Sequence, residues 1–213
     1  MHTRTRRGGF TLVEVLVSVG IIAILSTIGL AAISSALRTA KATKCLGNLH
    51  ALGTGSLTYA ADNDGALPQS SHQGPKRAWT VVLKPYVSVA VFKSPLDDTN
   101  RSCSYAMNDF LTEYPYGASN LDFSRLINVP NPSETFFMSV LNFDQQNTDH
   151  FHFADSDSGY GPTAFSSEVA VELVNGAGNY LFVDAHVERL AWTQVRQQLT
   201  QPGSRFVRPD GQN

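Results

Sequence analysis

The tightest set of residues able to do chemistry is Asp184, His186 and Glu188, spaced as Asp-x-His-x-Glu. Successive side chains on a β-strand point to opposite faces, so these three would share one face and sit close enough to share a proton or a metal ion. The neighbouring Val187 and Phe182 are the apolar residues a hairpin would bury, which makes the triplet that hairpin's solvated face. His150-x-His152 offers zinc-type donors, but no cysteine or third ligand stands at metal-site spacing beside it. An acidic run with Asp155 and Asp157 follows in a Gly- and Ser-rich stretch. Asp62-Asn63-Asp64-Gly65 imitates an EF-hand and fails on spacing. With Gly65 as the loop glycine, Ala60 falls at the first ligand position and Ser71 where glutamate belongs. It reads as a helix stop. The sequence has no nucleophile elbow, P-loop or dinucleotide fingerprint. No catalytic residue, cofactor or resident metal is expected.

The elements that must position these residues follow from composition. A chain of 213 residues with 42% hydrophobic and 16% charged residues describes one globular domain with an appendage. A net charge of −2 gives no electrostatic reason to expect nucleic acid. Apolar residues are concentrated near the start: Val15 to Ile33 contains no charge, and the run is long enough to cross a bilayer as a helix. Glu14 stands at its edge. A cleavable secretory signal fits poorly, because the run exceeds the usual stretch of about 7–15 residues. The A-x-A candidate Ala40-Lys41-Ala42 also lies beyond Arg38, in continuing helix. An uncleaved anchor is the simpler alternative.

Arg6-Arg7-Gly8-Gly9-Phe10-Thr11-Leu12-Val13-Glu14 resembles the class III signal of type IV pilins and type II secretion pseudopilins. The resemblance implies that a prepilin peptidase cuts between Gly9 and Phe10 and that the new Phe10 amine is methylated. Glu14 then becomes the fifth mature residue, with a role in assembly. The implied partners are other pilin-like subunits, in a homo- or hetero-filament, the prepilin peptidase and a membrane assembly platform. A glycine without a side chain lets a peptidase approach the backbone, and a basic leader is retained in the cytoplasm. Many family members carry a proline near the position of Ala31. The first proline here is Pro68, so nothing imposes a kink. Arg4, Arg6 and Arg7 flank one end of the apolar run and Arg38, Lys41 and Lys44 the other, so orientation rests on leader recognition rather than on charge.

Two further segments resemble a subgroup of pilin-like proteins: Lys44–Leu49 through Tyr59–Pro68, and Asn179–Glu188. In the second, Ala185 replaces the glycine of an Asp-Gly-His-Val signature, and Val174 stands where an upstream histidine is usual. Ser94-Pro95 takes the place of a Cys-Pro. By analogy with some secretion pseudopilins, Asp155 and Asp157 are a candidate calcium loop, set against a solvated surface loop. Outside the cytoplasm Cys45 and Cys103 could form a disulfide, or remain two buried thiols.

The fold class expected is α+β: a long N-terminal helix packed on a small antiparallel sheet. Leu37, Ala40, Cys45, Leu49, Leu52, Ser56 and Ala60 form one face of that helix, with Arg38, Lys41, Lys44 and Asn48 elsewhere. Strands are expected over Ser102–Met107, Thr135–Leu141 and Val169–Val174, and a hairpin joins Asn179–Val183 to His186–Leu190. A short helix or turn is expected over Ala78–Val87 and a last helix over Trp192–Leu199. The bounds expected are a leader at residues 1–9, a membrane half at 10–34, and an extracytoplasmic head at 35–213. The function expected is a filament subunit held in the cytoplasmic membrane by one span. The alternative is a membrane-tethered extracytoplasmic binding or hydrolytic domain that uses the same export route.

Overall fold

The computed structural model describes residues 9–115, 121–145, 149–153 and 160–212. It divides into two compact units, residues 1–40 and 41–213. Helix α1, Leu12–Asp62, contributes to both.

In the first unit α1 is apolar on every side. An 18-residue stretch has a mean hydropathy of 2.5, and none of it is buried within the protein. Leu16, Ile22 and Ile28 are each more than half exposed, an arrangement that water penalises and lipid tails do not. The hydroxyls of the uncharged run bond within the helix: Ser18 donates to the Glu14 carbonyl at 2.6 Å, Ser26 to Ile22 at 2.7 Å and Thr27 to Ile24 at 2.8 Å. A bilayer core offers no other partner, so this back-bonding removes their cost. As the lack of proline implies, α1 runs without a break.

In the second unit α1 becomes one-sided. Ala42, Cys45, Leu49, Leu52, Ser56 and Ala60 are buried at three- and four-residue spacing. Leu37 and Ala40, assigned to this face from sequence, are exposed, so the buried stripe starts at Ala42. Asn48 is buried rather than solvated, because its amide donates to the Lys93 carbonyl at 3.1 Å. The helix stops where expected. Asp64 and Gly65 take positive φ values of 54° and 79°, and the Gly65 amide returns to the Ala60 carbonyl at 2.8 Å.

The sheet has five strands in the order β3-β1-β2-β4-β5, comprising β1 (Tyr105–Asn108), β2 (Phe136–Val140), β3 (His150–Phe151), β4 (Ala177–Phe182) and β5 (Val187–Ala191). All pairings are antiparallel except β1 with β3, so the sheet is mixed rather than wholly antiparallel. Alternation sends Tyr105, Met107, Val140 and Leu181 into the core with Leu49 and Leu52. Ala106, Phe136, Tyr180 and Phe182 go to the other face. There α3 (Pro162–Glu168), α4 (Trp192–Thr200) and the C-terminal segment supply Phe165, Val195 and Phe206. Phe136 stacks on Phe206 with centroids 5.2 Å apart, and Phe153 on Phe165 at 5.3 Å. A sheet covered on both sides explains why β1, β2 and β4 are buried along their whole length.

The short helix expected near Ala78 is α2, Trp79–Val82. Val169–Val174 is not a strand. It makes only isolated bridges, Leu141 with Val169 and Val174 with Ala177, because α3 delivers the chain to the end of β2 and a turn with positive φ at Asn175 and Gly176 follows at once. A buried ionic network ties the loop before β1 to the end of β2. Arg101 meets Asp97 at 2.5 Å and donates to the Leu141 and Asn142 carbonyls at 3.0 and 2.9 Å. Burial alone would raise the Asp97 carboxyl, but hydrogen bonds from Ser104, Thr99 and Arg101 hold it well below the usual carboxylate range.

Candidate functional site

Gly9 and Phe10 precede α1, outside any helix or strand, and Phe10 is 85% exposed. The peptide bond joining them therefore lies in accessible backbone; residues 1–8 of the leader fall outside the described residues. Thr11 caps α1. Its carbonyl accepts from the Val15 amide at 3.2 Å, and its hydroxyl oxygen accepts from the Glu14 amide at 3.3 Å. Glu14 answers: its Oε2 accepts from the Thr11 amide and from the Thr11 hydroxyl, each at 2.8 Å. This is a capping box. Both bonds fall on one oxygen, and Oε1 has no bond of its own among the described residues. The Thr-x-x-Glu spacing that makes this cap is legible in the sequence, beside the assembly role the resemblance implies for Glu14.

The hairpin triplet is brought together. His186 Nδ1 lies 2.5 Å from Asp184 Oδ1, and Nε2 lies 3.7 Å from Glu188 Oε1. The imidazole stacks on Phe182 with centroids 4.2 Å apart and planes 10° from parallel. All three side chains are at least one-third exposed. The cluster is an exposed face of carboxylates and imidazole anchored on an aromatic. Ala185 takes the left-handed conformation the signature's glycine would supply, with φ 71°. The turn packs on α1 at Gly53, where a Cβ would lie 2.6 Å from Leu181 Cδ1 and 3.0 Å from Ala185 Cβ.

In the structure Cys45 and Cys103 are not bonded to each other. They contact opposite ends of Tyr105. Its hydroxyl lies 3.5 Å from Cys45 Sγ, and Cys103 Sγ donates to its carbonyl at 3.3 Å. Burial pushes the Cys103 thiol up to about 12, so it behaves as a small apolar group. Asp155 and Asp157, the candidate calcium loop, lie outside the described residues.

A cluster that sequence spacing did not assemble involves His150 and His152. His72, in the turn Ser71–Gln73, joins them, and one ring nitrogen from each of the three lies within 4.8 Å of the others. His150 Nε2 is 3.0 Å from His72 Nε2, and His150 Nδ1 is 2.8 Å from Asp149 Oδ1. The same carboxylate accepts from the Ser71 amide at 2.9 Å and hydroxyl at 2.7 Å. The Asp149 carbonyl accepts from Trp79 Nε1 at 2.7 Å and from the Met107 amide at 3.0 Å. Glu168 Oε2 lies 3.4 Å from His152 Nδ1 and accepts from the His152 amide at 2.6 Å. His72 lies 78 residues from His150, so only the fold reveals the third donor.

A family model described as the prokaryotic N-terminal methylation motif matches residues 4–30. No curated protein and no solved structure matches the chain. The matched residues include the Gly9–Phe10 bond, the Thr11–Glu14 capping box and most of the apolar run. The chain thus carries the prepilin-type N-terminal methylation motif at the head of a membrane-length helix, on a pilin-like α+β architecture.

Proposed function

We propose that the chain is a structural subunit of a type IV pilus-like or type II secretion pseudopilus filament. The observation that carries this reading is the conjunction of the methylation motif with Glu14, the carboxylate that opens a membrane-length stretch of α1 in which the next charge is Arg38. Prepilin peptidase hydrolyses the Gly9–Phe10 bond, the leader remains in the cytoplasm, and the Phe10 amine is methylated. The head lies outside the cytoplasm, held by one span until an assembly platform draws the subunit into the filament.

Glu14 supplies the assembly step. A carboxylate in the bilayer costs roughly 2.5–3.5 kcal/mol by insertion scales. The capping box offsets part of that cost through Oε2 and leaves Oε1 for an incoming donor. Cleavage creates the donor, because the Phe10 amine of a neighbouring subunit is a cation at similar depth. Pairing the two fixes the axial register between helices.

The test separates cap from charge. Glu14→Gln keeps an acceptor for the Thr11 amide but removes the charge, and Glu14→Val removes both. Both variants are expected to be processed and to reach the membrane in wild-type amounts while incorporating into filaments at least tenfold less. Wild-type filament yield from Glu14→Gln would refute the charge pairing, and failed processing of both would reassign Glu14 to peptidase recognition.

A further inference from the structure

We propose that His72, His150 and His152 form a zinc-class metal site that clasps the turn after the long helix to the edge strand β3. Three of the chain's six histidines converge here, from segments far apart in sequence. Imidazole nitrogens suit zinc, copper and nickel, and exclude the oxygen-seeking calcium and magnesium. At tetrahedral zinc, with Zn–N about 2.0–2.1 Å, two ligand nitrogens sit roughly 3.3–3.4 Å apart. His150 Nε2 and His72 Nε2 stand 3.0 Å apart, and one nitrogen from each of the three rings falls within 4.8 Å of the others. The ion therefore asks for side-chain adjustment, not refolding.

The second layer favours the same conclusion. Asp149 Oδ1 lies 2.8 Å from His150 Nδ1, and a carboxylate there favours the tautomer with its proton on Nδ1, the one that makes Nε2, 3.0 Å from His72 Nε2, the ligand atom. Asp149 is itself held by the Ser71 amide and hydroxyl, so both histidine-bearing segments hang on one carboxylate. Glu168 Oε2, hydrogen-bonded to the His152 amide, stands a looser 3.4 Å from His152 Nδ1. Carboxylates behind two of three candidate ligands are the usual support of metal-bound imidazoles. Burial is graded, with His150 buried, His152 half-buried and His72 exposed, which gives an ion a way in. Three protein ligands leave a fourth position for water.

The clasp has a structural use. β3 is two residues long, lies at the sheet edge and, among the described residues, pairs only with β1, in parallel. A metal bond from His72 would fix this edge to the loop that follows α1, in a head without a disulfide among its described residues.

The experiment uses the untagged full chain in detergent, stripped with chelator and titrated with Zn²⁺. The expected result is one zinc retained per chain after desalting and a melting temperature that rises with zinc concentration, while Mg²⁺ and Ca²⁺ leave it unchanged. His72→Ala, at an exposed position, is expected to melt like the metal-free wild type and to bind zinc at least 100-fold more weakly. His152→Ala is a second, independent removal with the same expectation. Glu168→Gln is expected to weaken zinc about 10–100-fold while keeping the metal-free melt. Failure of the wild-type chain to retain zinc would overturn the proposal. Retention with equal affinity by His72→Ala and His152→Ala would also overturn it, showing adventitious binding elsewhere.

Discussion

Ala185 and Gly53 meet where the β4–β5 turn rests on α1, and each is constrained by the other. A non-glycine residue in the left-handed region costs roughly 1–2 kcal/mol, so Ala185→Gly is expected to stabilise the head by about 0.5–1 kcal/mol after losing a methyl contact. Gly53→Ala forces a Cβ against Leu181 and Ala185 and should destabilise by about 1–3 kcal/mol. Thermal melts of both variants beside the wild type check the opposite signs. The strained turn was legible in the sequence, because Ala185 departs from a signature glycine. The need for glycine at 53 was not, since its neighbours come from the far end of the chain. The same holds for His72: local spacing finds His150 and His152 and cannot find a ligand delivered by another segment. The placing of the two cysteines was hidden for a related reason. Sequence places both outside the membrane half, but only packing decides that Tyr105 touches both sulfurs.

Elements with strong periodicity were read correctly: α1, the β4–β5 hairpin, β1, β2 and α4 all form close to their expected places. Val169–Val174 failed because its apolar residues serve both core packing and a turn, and composition alone cannot distinguish a strand from a buried connector. β3 was invisible at two residues. The loop from Lys93 to Ser104 has no periodicity at all, yet Asp97 and Arg101 organise it. The folded Asp97 carboxyl titrates below its unfolded value. Its contribution is therefore complete above the unfolded carboxylate range near pH 4 and is lost as pH falls through the lower folded value. Melting temperature against pH should fall below about pH 4, and Asp97→Asn should flatten that fall while lowering stability at pH 7. Arg101→Met, which leaves Asp97 buried without its guanidinium, should cost about 3–5 kcal/mol at neutral pH. At the start of α1, Thr11→Val removes the cap and should fray the first turn by about 1 kcal/mol, read as faster amide exchange at Glu14.

At the scale of the whole molecule, the sequence changes its physics within one helix. The first part of α1 exposes apolar side chains on all sides, and the part from Ala42 onward buries one stripe under a sheet. A chain starting at Ser35 keeps that stripe and discards the lipid-facing surface, so it should be soluble and melt cooperatively. Aggregation without a transition would show that the head needs the apolar half. The account depends most on what happens at the Gly9–Phe10 bond, because cleavage there creates both the mature helix and the amine that Glu14 is held to meet. N-terminal mass spectrometry of the protein extracted from its native membrane measures this directly. The predicted terminus is Phe10 carrying one added methyl group. An intact Met1, or a start near Ala42 or Thr43, would contradict the prepilin reading.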